Sequence, residues 1–118
     1  MTEQYLKENG INVDASLEIL GDIDMYNETM QDFLTEQETR IPDLKKYLEA
    51  EDCENYAILA HAMKSDSKYL GFTKLIELAY DHELKGKENN IEYIKEHFNE
   101  LIEEANRIND VCKKYLGN

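Results

Sequence analysis

Apolar positions recur at intervals of three and four along most of the chain, the period of a helix with one buried face. The clearest run is Ile91, Ile94, Phe98, Leu101, Ala105, Ile108, Cys112 and Tyr115. It predicts one long helix over 91–115, about 37 Å long at 1.5 Å per residue. Asn90 stands before it as an N-cap. Tyr26, Met30, Phe33, Gln37, Ile41, Leu44 and Leu48 form a second stripe over 24–50, with Asp24 as its cap. Pro42 falls inside that stripe. Proline removes one backbone donor and crowds the preceding turn, so a kink or break is expected near 38–42.

Between these runs the pattern predicts two shorter helices. One covers 53–70, capped by Asp52 and ended by Gly71. The other covers 73–85, with Thr73 as N-cap and Gly86 after its end. Two short helices near 2–9 and 14–20, stopped by Gly10 and Gly21, precede the long ones. No stretch alternates as a strand would. Four amphipathic helices on short loops imply an all-α, antiparallel up-down four-helix bundle, with the short N-terminal helices lying across one end. No linker, internal repeat or low-complexity segment divides the 118 residues, which therefore read as one domain spanning 1–118.

Charge narrows the partners. With 13 basic and 26 acidic residues the net charge is -13. Such a chain is not expected to hold nucleic acid or an anionic membrane surface. It leaves room for a protein partner met through a less acidic patch. Cys53 and Cys112 have no motif spacing and read as reduced, packed thiols of a cytoplasmic protein. The polar start "MTEQYLKENG" lacks the apolar run of a signal peptide, and no stretch is apolar enough to span a membrane.

The candidate chemistry lies in "AHAMKSDSKYLGF", residues 60–72. At 100° per residue, Tyr56, Leu59, Ala60, Met63, Ser67 and Leu70 share the inward arc of the 53–70 helix. His61, Lys64, Ser65 and Lys68 share the opposite arc. An imidazole titrating near pH 6.5 is a nucleophile at neutral pH, and an ammonium can neutralise phosphoryl oxygens. Phosphoryl transfer asks for little beyond position and charge. The same spacing also describes an ordinary solvated helix face, and geometry alone does not separate the two.

The wording of the stretch resembles the signature of histidine-containing phosphotransfer (HPt) domains. Ala60-His61 is followed by Met63, Lys64, the small residues Ser65, Asp66 and Ser67, and then Leu70-Gly71, with the glycine ten places after the histidine. "KLIELAYDHELKGKENN" is similar to the family's next helix, which carries an acidic or amide residue 22 places after the histidine; Glu83 stands there. The likeness covers about 16–115. It implies that His61 takes a phosphoryl group on Nε2 from the aspartyl phosphate of a receiver domain and passes it to another. Lys64 would hold phosphoryl oxygens, while Ser65, Lys68 and Gly71 would belong to the docking surface. The chain would need no cofactor or ATP of its own, since the receiver brings the magnesium. The expected partners are receiver domains of response regulators or hybrid kinases, met by a monomer.

Glu83 shares an arc with Phe72, Leu75, Ile76 and Ala79. A carboxylate there needs a partner. His61 Nδ1–H would suit, leaving Nε2 free. The chain departs from the family pattern in three places. Ser65 replaces the commonest glycine. Asp66 falls at the edge of the inward arc, where it needs a partner and adds negative charge. His82 sits on an apolar stripe and reads as a satisfied, partly buried histidine, while His97 reads as surface. Two rival functions remain: a metal or hydrolytic site at His61, His82 and Glu83, and a degenerate module that docks receivers without transfer.

Overall fold

The computed structural model describes residues 2–117. Six helices follow one another among these residues: α1 (Glu3–Glu8), α2 (Val13–Leu20), α3 (Ile23–Glu49), α4 (Cys53–Leu70), α5 (Thr73–Lys87) and α6 (Ile91–Leu116). Helices α3 to α6 form the bundle. Each packs on the next in sequence, and α6 closes the ring against α3. Short loops between consecutive neighbours make the arrangement up-down.

The buried faces follow the apolar stripes. Tyr26, Met30, Phe33 and Leu44 of α3 meet Tyr56, Met63 and Leu70 of α4, Leu75 and Ala79 of α5, and Ile94, Leu101 and Ile108 of α6 in one core. Burying a side chain of this size contributes about 1.5–3 kcal/mol. The buried Tyr26 hydroxyl donates to the Leu70 carbonyl at 2.8 Å, tying α3 to the end of α4. Cys53 and Cys112 are both buried and free, and burial pushes the Cys112 thiol up to about 12.

Helix α3 runs unbroken through Pro42 to Glu49, so the expected break does not occur. Its cap is Asp22, not Asp24. The Asp22 carboxylate accepts from Met25 N–H at 2.9 Å, and the residue's extended backbone turns the chain into the helix. Asp52 and Asn90 cap α4 and α6 as their positions predict.

The short helices cover the end of the bundle that holds the α4–α5 turn. Asn12 N–H donates to the Gly71 carbonyl at 2.8 Å, and Thr73 Oγ1 donates to the Gly10 carbonyl at 3.1 Å. Thr73 is therefore the first residue of α5 rather than its cap. Phe72 holds the cap position with its side chain in the core. At the same end, Arg107 of α6 makes a two-pronged pair with the buried Glu104, each contact 2.8 Å, and reaches the Asn9 carbonyl.

Helix α5 ends two residues later than the position of Gly86 suggests. Gly86 lies inside it, buried against α4. A Cβ at Gly86 would stand 2.9 Å from Ala57 Cβ and 3.2 Å from the Cys53 carbonyl oxygen. Glycine is thus used here for close helix approach, not to stop the helix. This approach brings the last turns of α5 against the middle of α4, where His61 lies.

Candidate functional site

His61 projects from the middle of α4 on the side of α5, its side chain 57% exposed. Glu83 comes up from α5 beneath it and is only 2% exposed. Burial raises the cost of the Glu83 charge, but three partners more than offset it. Lys64 Nζ stands 2.6 Å from Oε1, Lys87 Nζ 2.8 Å from Oε2, and His61 Nδ1 2.9 Å from the same Oε2. Together they hold the carboxyl down at about 2. The group is ionised at neutral pH and can only accept hydrogen bonds. His61 must therefore carry its proton on Nδ1 in this contact, which leaves the Nε2 lone pair on the far side of the ring. A buried anion has fixed the tautomer and aim of a half-exposed imidazole.

The other site positions distribute unevenly. Lys64 is not the open surface cation that its helical angle predicts. Its side chain is 13% exposed, with the ammonium turned in to Glu83 and 5.0 Å from the centre of the Tyr80 ring. Ser65 is half-buried one turn beyond His61, and Lys68 is exposed further along. Gly71 does not belong to this surface at all. It is buried in a left-handed conformation (φ 80°), and a Cβ there would collide with the Asn12 backbone. Its role is to end α4 and let residues 10–12 pack, far along the helix from His61.

Asp66 has its partner. Its carboxylate lies 2.9 Å from the Arg40 guanidinium, which is 8% exposed and also bound to Gln37 and Glu36. The negative charge expected to burden the site is spent on joining α4 to α3.

His82 is buried, and its Nδ1 meets the Tyr56 hydroxyl at 2.8 Å. Burial drives its pKa down to about 4. It is the satisfied histidine that the stripe implies, and it faces away from its neighbour Glu83. His97 is half-buried rather than on the surface, with its ring centre 4.2 Å from that of Tyr93. Among the described residues, no three His, Cys, Asp or Glu side chains stand close enough to hold a metal ion together. Nor is any helix long and apolar enough to cross a membrane.

Sequence reasoning missed Lys87. The signal was present: it lies one helical turn after Glu83, the spacing at which side chains on a helix meet. Placing the end of α5 at residue 85 hid it. Lys87 and Gly86 also line a groove of about 670 Å³ beside His61, together with Glu54, Ala57 and the exposed Ile58.

An up-down helical bundle that presents one oriented, half-exposed imidazole over a buried carboxylate fits the phosphotransfer-domain resemblance of the stretch from Ala60 to Gly71. The family comparison agrees. The model of the Hpt domain matches residues 28–110, well over half of the chain, and the protein belongs to that family. Its members are phosphotransfer modules of two-component signalling that interact with receiver domains and carry the phosphoryl group rather than catalyse. The matched span lies inside the 16–115 suggested by the motifs. Neither a curated protein nor a solved structure gave a match.

Proposed function

We propose that the protein shuttles a phosphoryl group between receiver-domain aspartates through a phosphohistidine at His61. The observation that carries this reading is the 2.9 Å contact between His61 Nδ1 and the buried Glu83. The Nε2 lone pair attacks the phosphorus of an aspartyl phosphate. The P–N bond forms as the P–O bond to the aspartate breaks, and the carboxylate leaves on the receiver. The proton stays on Nδ1, and the positive charge gained by the ring lies against the Glu83 carboxylate. Transfer to a second receiver is the same step reversed.

Lys64 places a fixed ammonium beside the ring, where its field favours phosphoryl oxygens. Ser65 is small enough to let a receiver approach, and Lys68 offers that receiver a positive contact. The magnesium expected for the reaction is the receiver's, and the setting is the cytoplasm. The chain works as a monomer with no cofactor of its own.

The test is incubation with a receiver charged by acetyl phosphate. Acid-labile, base-stable phosphate should appear on the wild type and be absent from His61→Gln, whose helical signal and melting point should match the wild type. Receiver binding that survives in both proteins with no label on either would replace this reading with a docking module that does not transfer.

A further inference from the structure

We infer that Lys87 is the cation that changes partner during the cycle: it pairs with Glu83 while His61 is free and moves onto the phosphoryl oxygens once His61 carries the group. The inference rests on His61 as the acceptor. It assigns separate tasks to two lysines that look alike in the sequence.

The two differ in how firmly they are held. Lys64 is 13% exposed, lies near the Tyr80 ring, and is the partner of Glu83 Oε1. Its departure would strand a carboxylate oxygen in a site 2% exposed, a costly arrangement. Lys87 is 62% exposed and shares Oε2 with His61 Nδ1. When it leaves, Oε2 keeps the imidazole N–H and Oε1 keeps Lys64. Lys87 is the partner that water already reaches, so its release leaves no buried cation behind, and the exchange costs less than moving the 13% exposed Lys64 would.

The phosphorylated state supplies the drive. A phosphoryl group brings a charge of roughly -1.5 to -2 at neutral pH, on a chain already at -13. Glu54 lines the same groove and adds to the repulsion. Across Oε2, Lys87 is next to the His61 ring, and it rises from the last turn of α5 on a flexible stem. Meanwhile the phosphorylated ring is cationic. It binds Oε2 more tightly than the neutral ring does and takes over the neutralisation that Lys87 provided. Lys64 is thus a positioning residue that keeps Glu83 ionised, while Lys87 answers the arrival of the phosphoryl group.

The test uses phosphoramidate as the donor, so that no receiver is needed. Nε2 displaces ammonia from it, one P–N bond forming as the other breaks. The phosphorus resonance of the phosphohistidine is then read by NMR at one fixed, mildly basic pH, where the P–N bond persists. An ammonium hydrogen-bonded to the phosphoryl oxygens draws on their electrons and displaces that resonance. Lys87→Ala should move it away from the wild-type position, and Lys87→Arg should return it towards the wild type. Lys87→Gln, which keeps the stem without the charge, should match Lys87→Ala. Equal resonances in wild type, Lys87→Ala and Lys87→Gln, with phosphohistidine formed in each, would overturn the exchange and leave His61 as acceptor. No phosphohistidine resonance at His61 in the wild type would instead overturn the acceptor assignment and the exchange with it.

Discussion

Gly86 and Ala57 touch so closely that a single added carbon on Gly86 would stand 2.9 Å from Ala57 Cβ. This contact sets the spacing of α5 against α4, and through it the reach of Glu83 to His61. The functional geometry thus depends on a residue with no side chain, three places after the carboxylate that it positions.

Gly86→Ala should therefore disturb the site as well as the fold. A helical alanine gains about 0.5–1 kcal/mol over glycine, but overpacking costs about 1–3 kcal/mol, so the net change should be destabilising. Thermal melts measure the loss. The His61 Nδ1–H resonance, shifted by its bond to Glu83, should move as the helices part. A stabilised protein with an unmoved resonance would mean that α5 has room to spare.

His82 should make the protein sensitive to mild acid. Burial holds its pKa near 4 in the fold against about 6.5 in the unfolded chain. The unfolded state thus binds the proton first as pH falls, and stability is lost from about pH 6.5 down to about pH 4, up to about 3 kcal/mol. His82→Gln can still meet the Tyr56 hydroxyl and cannot titrate. Its stability should vary less over that window, as measured by urea melts at stepped pH.

Glu83 titrates in a lower window. Its folded pKa of about 2 lies below the 4.5 of a free glutamate, so its contribution is complete above pH 4.5 and is lost as pH falls towards 2. Glu83→Gln should cost about 2 kcal/mol at pH 7, because Lys64 is left half-buried without its anion. The gap to the wild type should close below pH 4.5. A constant gap down to pH 2 would mean that the carboxylate's charge is not what matters.

Asp66 should prove structural. Asp66→Ala removes the only partner that Arg40 has on α4 among its hydrogen bonds to Asp66, Gln37 and Glu36. A charged hydrogen bond of this kind is worth about 1.5–3 kcal/mol, so the melting point should drop. The rate of phosphoryl uptake at His61, measured below the melt, should stay near the wild-type value.

Local patterning determined most of the architecture. The period of the apolar residues placed α3, α4 and α6 to within a few residues, because a helix that must bury one face writes that need into its spacing. The stretch from Ala60 to Gly71 and the Glu83 position marked the site, since both lie on helices whose phase can be read residue by residue. The same local reading pointed to Asp24 and Thr73 as caps, where Asp22 and a turn bound to residues 10–12 begin the helices instead.

Tertiary structure decided the remainder. Only the packing of α5 on α4 shows that Gly86 belongs inside a helix, because a glycine that stops a helix and one that admits a neighbour are identical in sequence. Likewise, only the docking of residues 10–12 on the α4–α5 turn takes Gly71 off the surface. Lys64 turned inward and Lys87 joined the site because both answer to a buried charge on a facing helix. Helical phase gives the direction in which a side chain leaves its own helix; it does not give the charge waiting on the next one.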